Sequence, residues 1–193
     1  LTAGTVSLLG NPYPSVLNTA AFIADNIDVI DGTLYYWEHQ GEASTTTVVE
    51  GHFEFGYIGG YSQRNQAMGV AANSVVDETA GLGEGTYTAP PQFVSVGQSF
   101  FVSVPGNKGG TVNFENSHRA ASTNNVFIRN SDESPEDIPN IKIGMDYITD
   151  TNAEIHRQLG VNFKEGNTFE YDAGYDSGIF DLQPTDMFWD FKD

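Results

Sequence analysis

Cysteine is absent from the 193 residues. That excludes disulfide staples, thiol nucleophiles, Cys-based zinc sites and iron–sulfur centres. Basic side chains are scarce, with 8 Lys and Arg against 26 Asp and Glu, so the formal charge is −18. Duplex DNA, RNA and anionic membranes are poor partners for such a surface, and no nucleic-acid role is expected. No apolar run is long enough to span a bilayer, and no signal peptide opens the chain. Helical periodicity is missing after Asp25, as is any repeat at a solenoid or propeller period. The G-x-S-x-G elbow, the P-loop and the dinucleotide fingerprint do not occur, and none of the four histidines has a partner at H-x-x-x-H spacing.

What the chain does contain is a succession of short alternating segments between Gly, Pro and Asn turns. Pro91–Asn116 reads as three consecutive strands, Phe93–Val96, Ser99–Val104 and Thr111–Phe114, broken at Gly97 and at Gly106–Gly110. Further strands are expected over Thr5–Leu9, Thr33–His39, Thr45–Val49, Gly51–Ile58, Val126–Arg129 and Met187–Phe191. Ile141–Thr149 and Glu154–Phe163 form a hairpin across Asp150–Ala153. Asn18 or Thr19 caps a short helix over Ala20–Asp25. Gly59–Pro91, small and polar, reads as a long excursion loop, and Asn130–Asn140 as a solvated acidic loop or internal linker.

These segments predict an all-β fold, an antiparallel β-sandwich of jelly-roll type with one short N-terminal helix and long loops. Residues 1–193 form a single module cut from a larger protein, with a subdivision at the acidic loop 130–140 as the alternative. An acidic surface with few lysines is easiest to keep compact where salt or divalent cations screen it, as outside the cell. Solubility by charge is the plainer explanation of the same composition.

Several motifs, in order, carry a resemblance. Gly10-Asn11-Pro12-Tyr13-Pro14-Ser15 is followed by Asp31-Gly32-Thr33-Leu34-Tyr35-Tyr36-Trp37, then by Val96-Gly97-Gln98-Ser99-Phe100-Phe101-Val102 and Val112-Asn113-Phe114-Glu115-Asn116-Ser117. His156-Arg157-Gln158-Leu159, Gly174-Tyr175-Asp176-Ser177 and Gln183-Pro184-Thr185-Asp186 continue the pattern. Together they resemble segments of large surface and secreted proteins of Bacteroidetes, which often precede the C-terminal sorting domain of the type IX secretion system. The resemblance implies an exported, cell-surface or released β-sandwich module, and it brings no catalytic residues. The chain departs from the pattern at His118, where an apolar residue is expected, and over Gly59–Pro91.

Candidate sites are then weighed residue by residue. Tyr35, Trp37, Tyr57, Tyr61 and Tyr87 are candidates for an aromatic platform, because the flat apolar faces of sugar rings pack on aromatic side chains. Core filling is the simpler use of the same residues. On the strand at Thr33–His39, Tyr35, Trp37 and His39 share one face and Leu34, Tyr36 and Glu38 the other; the first set is the larger apolar one and is expected to fill the core. Glu38 with Tyr36, and His52 with Glu54, are same-face pairs that suit solvent-facing neighbours better than catalysis. Asp172, Asp176 and Asp181 form one candidate calcium loop, and Asp150 with Asn152 begins another whose EF-hand spacing fails at Ile155 and Val161.

The resulting expectation is a non-catalytic extracellular module of an exported bacterial surface protein, serving in structure, adhesion or fibre assembly. The alternative is a carbohydrate-binding module of a secreted polysaccharide-degrading enzyme. Expected partners are other domains of the same long chain, like subunits through sheet edges, or polysaccharide.

Overall fold

The computed structural model describes residues 1–42, 57–72, 74–75, 89–121, 138–148, 154–183 and 185–190. Over these the protein is an all-β sandwich of antiparallel sheets with a single short helix. The strands are β1 (Val6–Gly10), β2 (Val16–Asn18), β3 (Leu34–Glu42), β4 (Tyr57–Arg64), β5 (Gly69–Val70) and β6 (Ser74–Val75). They continue with β7 (Phe93–Val94), β8 (Ser99–Ser103), β9 (Arg119–Ala120), β10 (Asn140–Ile148) and β11 (Glu154–Asn162), and the helix is α1 (Thr19–Asn26). A five-stranded sheet runs in the order β1-β8-β3-β4-β5, and two three-stranded sheets run β7-β2-β9 and β10-β11-β6.

The core lies between the inner face of the five-stranded sheet and a cover made by α1 and the β7-β2-β9 sheet. Period-2 alternation turns Leu34 and Tyr36 of β3, and Phe100 and Val102 of β8, to this side. Phe22 and Ile23 of α1, Leu17 of β2, Val94 of β7 and Ile30 meet them there. Burying each such side chain is worth about 1.5–3 kcal/mol, which is what holds the layers together. Asn18 caps α1, its Oδ1 accepting from the backbone N–H of Ala20 at 3.1 Å and of Ala21 at 3.5 Å.

The central stretch is a corner between layers rather than three consecutive strands of one sheet. Phe93–Val94 pairs with β2, whereas Ser99–Ser103 pairs with β1 and β3 in the other sheet. The chain crosses between them in a turn closed by Gln98 N–H donating to Ser95 O at 3.2 Å, with Gly97 at φ 74°. Residues 111–114 form no strand, because a side chain satisfies the backbone at the centre of that segment. The buried Asn26 accepts from Asn113 N–H at 2.7 Å and donates to Asn113 O at 3.0 Å.

The expected excursion over Gly59–Pro91 is also corrected. Its first residues belong to β4, which pairs with β3 from Leu34↔Arg64 to Glu42↔Tyr57 and continues through a tight turn into β5. Asn65 Oδ1 shapes that turn by accepting from Ala67 and Met68 N–H, each at 2.9 Å. Glycine, serine and glutamine make β4 look like a loop, yet neighbours on both sides supply the ladder that its own propensity does not.

The expected C-terminal hairpin is present, with β10 and β11 in register from Asn140↔Asn162 to Ile148↔Glu154. No strand forms over residues 187–190; instead the segment from Tyr171 onward is an arm laid back over earlier parts of the chain. Gly32 (φ 95°) and Gly174 (φ 87°) permit the closest approach, since a Cβ on Gly32 would lie 2.3 Å from Gly174 N. No helix among the described residues is long and apolar enough to cross a membrane. Strands expected at Thr45–Val49 and Val126–Arg129, and the acidic stretch 130–137, lie outside the described residues.

Candidate functional site

The outer face of the five-stranded sheet is aromatic. Alternation along β3 and β4 puts Tyr35, Trp37 and Tyr61 there, and β8 adds Phe101. Trp37 and Tyr61 are cross-strand partners whose rings meet edge to face at 5.1 Å, and Tyr61 meets Phe101 edge to face at 5.8 Å. All three rings are half-buried, and the neighbouring Leu8 of β1 is 60% exposed.

Tyr35 fares differently, because the C-terminal arm covers it. Phe180 stacks on its ring at 4.1 Å and meets Tyr61 edge to face at 4.8 Å. The Tyr35 hydroxyl donates to Asp31 Oδ2 at 2.6 Å, and burial pushes the phenol far above its ordinary range. Around it, Thr33 Oγ1 donates to Ser177 Oγ at 3.0 Å and Tyr171 donates through its hydroxyl to Asp31 O at 3.3 Å. The face-by-face expectation for β3 is therefore corrected: Leu34 and Tyr36 fill the main core, and Tyr35 is buried on the opposite side under the arm. Both faces are covered at this point, so the larger apolar set did not identify the core.

Of the remaining platform candidates, Tyr57 lies on β4 with its side chain outside the described residues, and Tyr87 lies outside them altogether. In the calcium candidate at 172–181, each carboxylate already accepts hydrogen bonds. Asp172 accepts from Thr168 N–H and Oγ1, Asp176 from Asp172 N–H at 2.7 Å, and Asp181 from Gln183 Nε2 at 3.2 Å. Among the described residues no group of three or more His, Asp and Glu is placed to hold a metal ion. Asp150 and Asn152 lie outside the described residues.

His118, the residue that departs from the resembled pattern, occupies an apolar setting. It is fully buried and packs edge to face on Phe22 at 5.8 Å. Its Nδ1 accepts from Glu115 N–H at 3.1 Å, which leaves Nε2 to donate to Asp25 at 2.8 Å. With both ring nitrogens engaged, the histidine serves as a core residue with a polar edge.

The inner face of β3 and β4 carries a row of polar groups at the border of the core. Tyr36 opposes Ser62, Leu34 opposes Arg64 and Glu38 opposes Gly60, so Tyr36, Glu38, Ser62 and Arg64 lie on one face. Ser62 Oγ donates to Tyr36 O at 3.4 Å. Burial raises the Glu38 carboxyl above its ordinary 4.5, opposed by a bond from Ser62, and lowers Arg64 to about 10. Three buried atoms of this row, Tyr36 Oη, Glu38 Oε1 and Arg64 Nε, have no hydrogen-bond partner among the described residues. The Tyr36 and Glu38 pairing is legible from alternation alone. Arg64 and Ser62 escaped because β4 read as loop, although the alternation of Tyr61 and Gln63 with Ser62 and Arg64 is the signal that could have found them.

A family model described as a domain of unknown function (DUF8693) matches residues 2–189. The chain belongs to that family. No curated protein matches it, and no solved structure does.

Proposed function

We propose that the protein is a non-catalytic module of an exported bacterial surface protein and that the aromatic outer face of its five-stranded sheet adheres to polysaccharide. The observation that carries this reading is the gathering of Trp37, Tyr61 and Phe101 on one sheet face, with half-exposed rings and the exposed Leu8 beside them. A pyranose ring presents axial C–H groups to an aromatic face, and a rigid sheet holds such rings in place without an ordering cost at the moment of binding. The motif order described above supports export, and neighbouring domains of the same long chain are the other partners in this reading. The same aromatic group favours a second reading, a carbohydrate-binding module joined to a polysaccharide-degrading enzyme, and the domain that flanks the module distinguishes the two.

Binding to a glycan array and co-sedimentation with insoluble polysaccharides test the proposal. Wild-type protein should bind a defined subset of glycans, and Trp37→Ala or Tyr61→Ala should weaken that binding about tenfold, since a ring contact is worth about 1–2 kcal/mol. Binding that both substitutions leave intact, or no retention on any glycan, rejects it.

A further inference from the structure

β10 is long for an edge strand. Among the described residues its one ladder partner is β11, and it closes the β10-β11-β6 sheet on the outer side. The other sheet edges are short: β1 has five residues and β5, β6, β7 and β9 have two each, against nine for β10. Short edges are one way in which a fold avoids pairing with other chains, and β10 does not use it. Asn140 to Gly144 are all exposed, on both faces of the strand, and so are Asp146 and Ile148. Ile141 and Ile143 are 52% and 43% exposed. An extended backbone edge flanked by uncovered isoleucines is a template for another strand.

The sequence of β10 says which strand. Asn140-Ile141-Lys142-Ile143-Gly144-Met145-Asp146-Tyr147-Ile148 is complementary to itself when two copies run antiparallel about Gly144. Lys142 of each copy then opposes Asp146 of the other, Ile143 opposes Met145, and Ile141 opposes Tyr147. Alternation keeps Ile141, Ile143, Met145 and Tyr147 on one face, where Leu159 and Val161 of β11 continue the apolar row. All nine residues pair in this register alone. A shift by one residue sets the apolar row of one copy against the polar row of the other, and a shift by two parts Lys142 from Asp146. Asp146 pairs with His156 on the β11 side and stays exposed beyond it. A lysine on an edge ordinarily turns strands away, because a foreign strand has no charge placed to meet it. Here the edge itself carries the counter-charge.

We infer that the partner of this edge is a second copy of the chain, added through β10 as an isologous antiparallel pair centred on Gly144. Two three-stranded sheets thereby become one continuous sheet across a twofold axis. The aromatic face of Trp37, Tyr61 and Phe101 lies on another sheet and takes no part in the pairing.

Sedimentation equilibrium of the chain, from about 1 μM to about 1 mM, tests this. About 0.15 M sodium chloride gives a screening length of about 8 Å, which damps repulsion between two bodies of charge −18 but spares side-chain pairs about 5 Å apart across a ladder. Wild type should pass from monomer to dimer over this range. Lys142→Asp and Asp146→Lys should each weaken the dimer at least about tenfold, because the twofold axis repeats the like-charge pair. Mixed in equal amounts, the two variants should associate with each other about as well as wild type does with itself, since each carries the charge that the other needs. That recovery also shows that both variants fold. Wild type that stays monomeric throughout overturns the proposal, as does a dimer that both variants retain alone. Variants that remain apart on mixing overturn the register and with it the proposal.

Discussion

Half-buried on β3, the Glu38 carboxyl is raised because burial penalises its charge more than the bond from Ser62 favours it. The folded state therefore holds this proton at a pH where the unfolded chain has released it, and the stability so gained is lost as pH rises through the raised value. Glu38→Gln keeps the shape and removes the charge. The variant should melt above wild type at pH 7, and the gap should close as pH falls to the ordinary 4.5; parallel pH profiles for the two proteins reject this. Asp31 and Asp176 are raised by burial in the same direction, so they add to the acid-side gain. At this scale alternation in the sequence tells which residues of β3 share a face. What covers each face is not readable locally, since Phe180 reaches Tyr35 from the far end of the described chain.

Individual elements were legible where the chain's own propensity agrees with its neighbours. The hairpin of β10 and β11, the strand at β3 and the Asn18 cap follow from alternation and capping chemistry. Where a partner overrides propensity, the pattern misleads: β4 is a strand because β3 and β5 flank it, and residues 111–114 are not one because Asn26 occupies their backbone. Among the contacts that hold the arm to β11 is a buried ion pair. Arg157 donates through Nε to Asp186 Oδ1 at 2.8 Å and through Nη2 to Oδ2 at 3.0 Å, with both side chains largely buried. Asp186→Ala should cost about 3 kcal/mol in urea unfolding, because it strands a buried cation, whereas the double substitution with Arg157→Met should recover part of that loss. Equal stability of Asp186→Ala and wild type rejects this role for the pair.

For the molecule as a whole, sequence alone sufficed for the class: many short alternating segments with Gly, Pro and Asn turns, and no helical period after Asp25, describe an all-β sandwich. The charge of −18 is a property of the same scale. Raising sodium chloride from about 0.01 M to about 1 M shrinks the screening length from about 30 Å to about 3 Å, and the midpoint should rise over that range. A midpoint that falls or stays flat shows that self-repulsion is not limiting.

The arm over β3 has a kinetic consequence. Thr33 finds Ser177 and Asp31 finds Tyr171 across sequence separations of 144 and 140 residues. Contacts this distant close late and slowly. A nascent molecule therefore leaves the back of its largest sheet uncovered until residues 171–180 have been made. Until then that aromatic face is open to any chaperone that shields apolar surface.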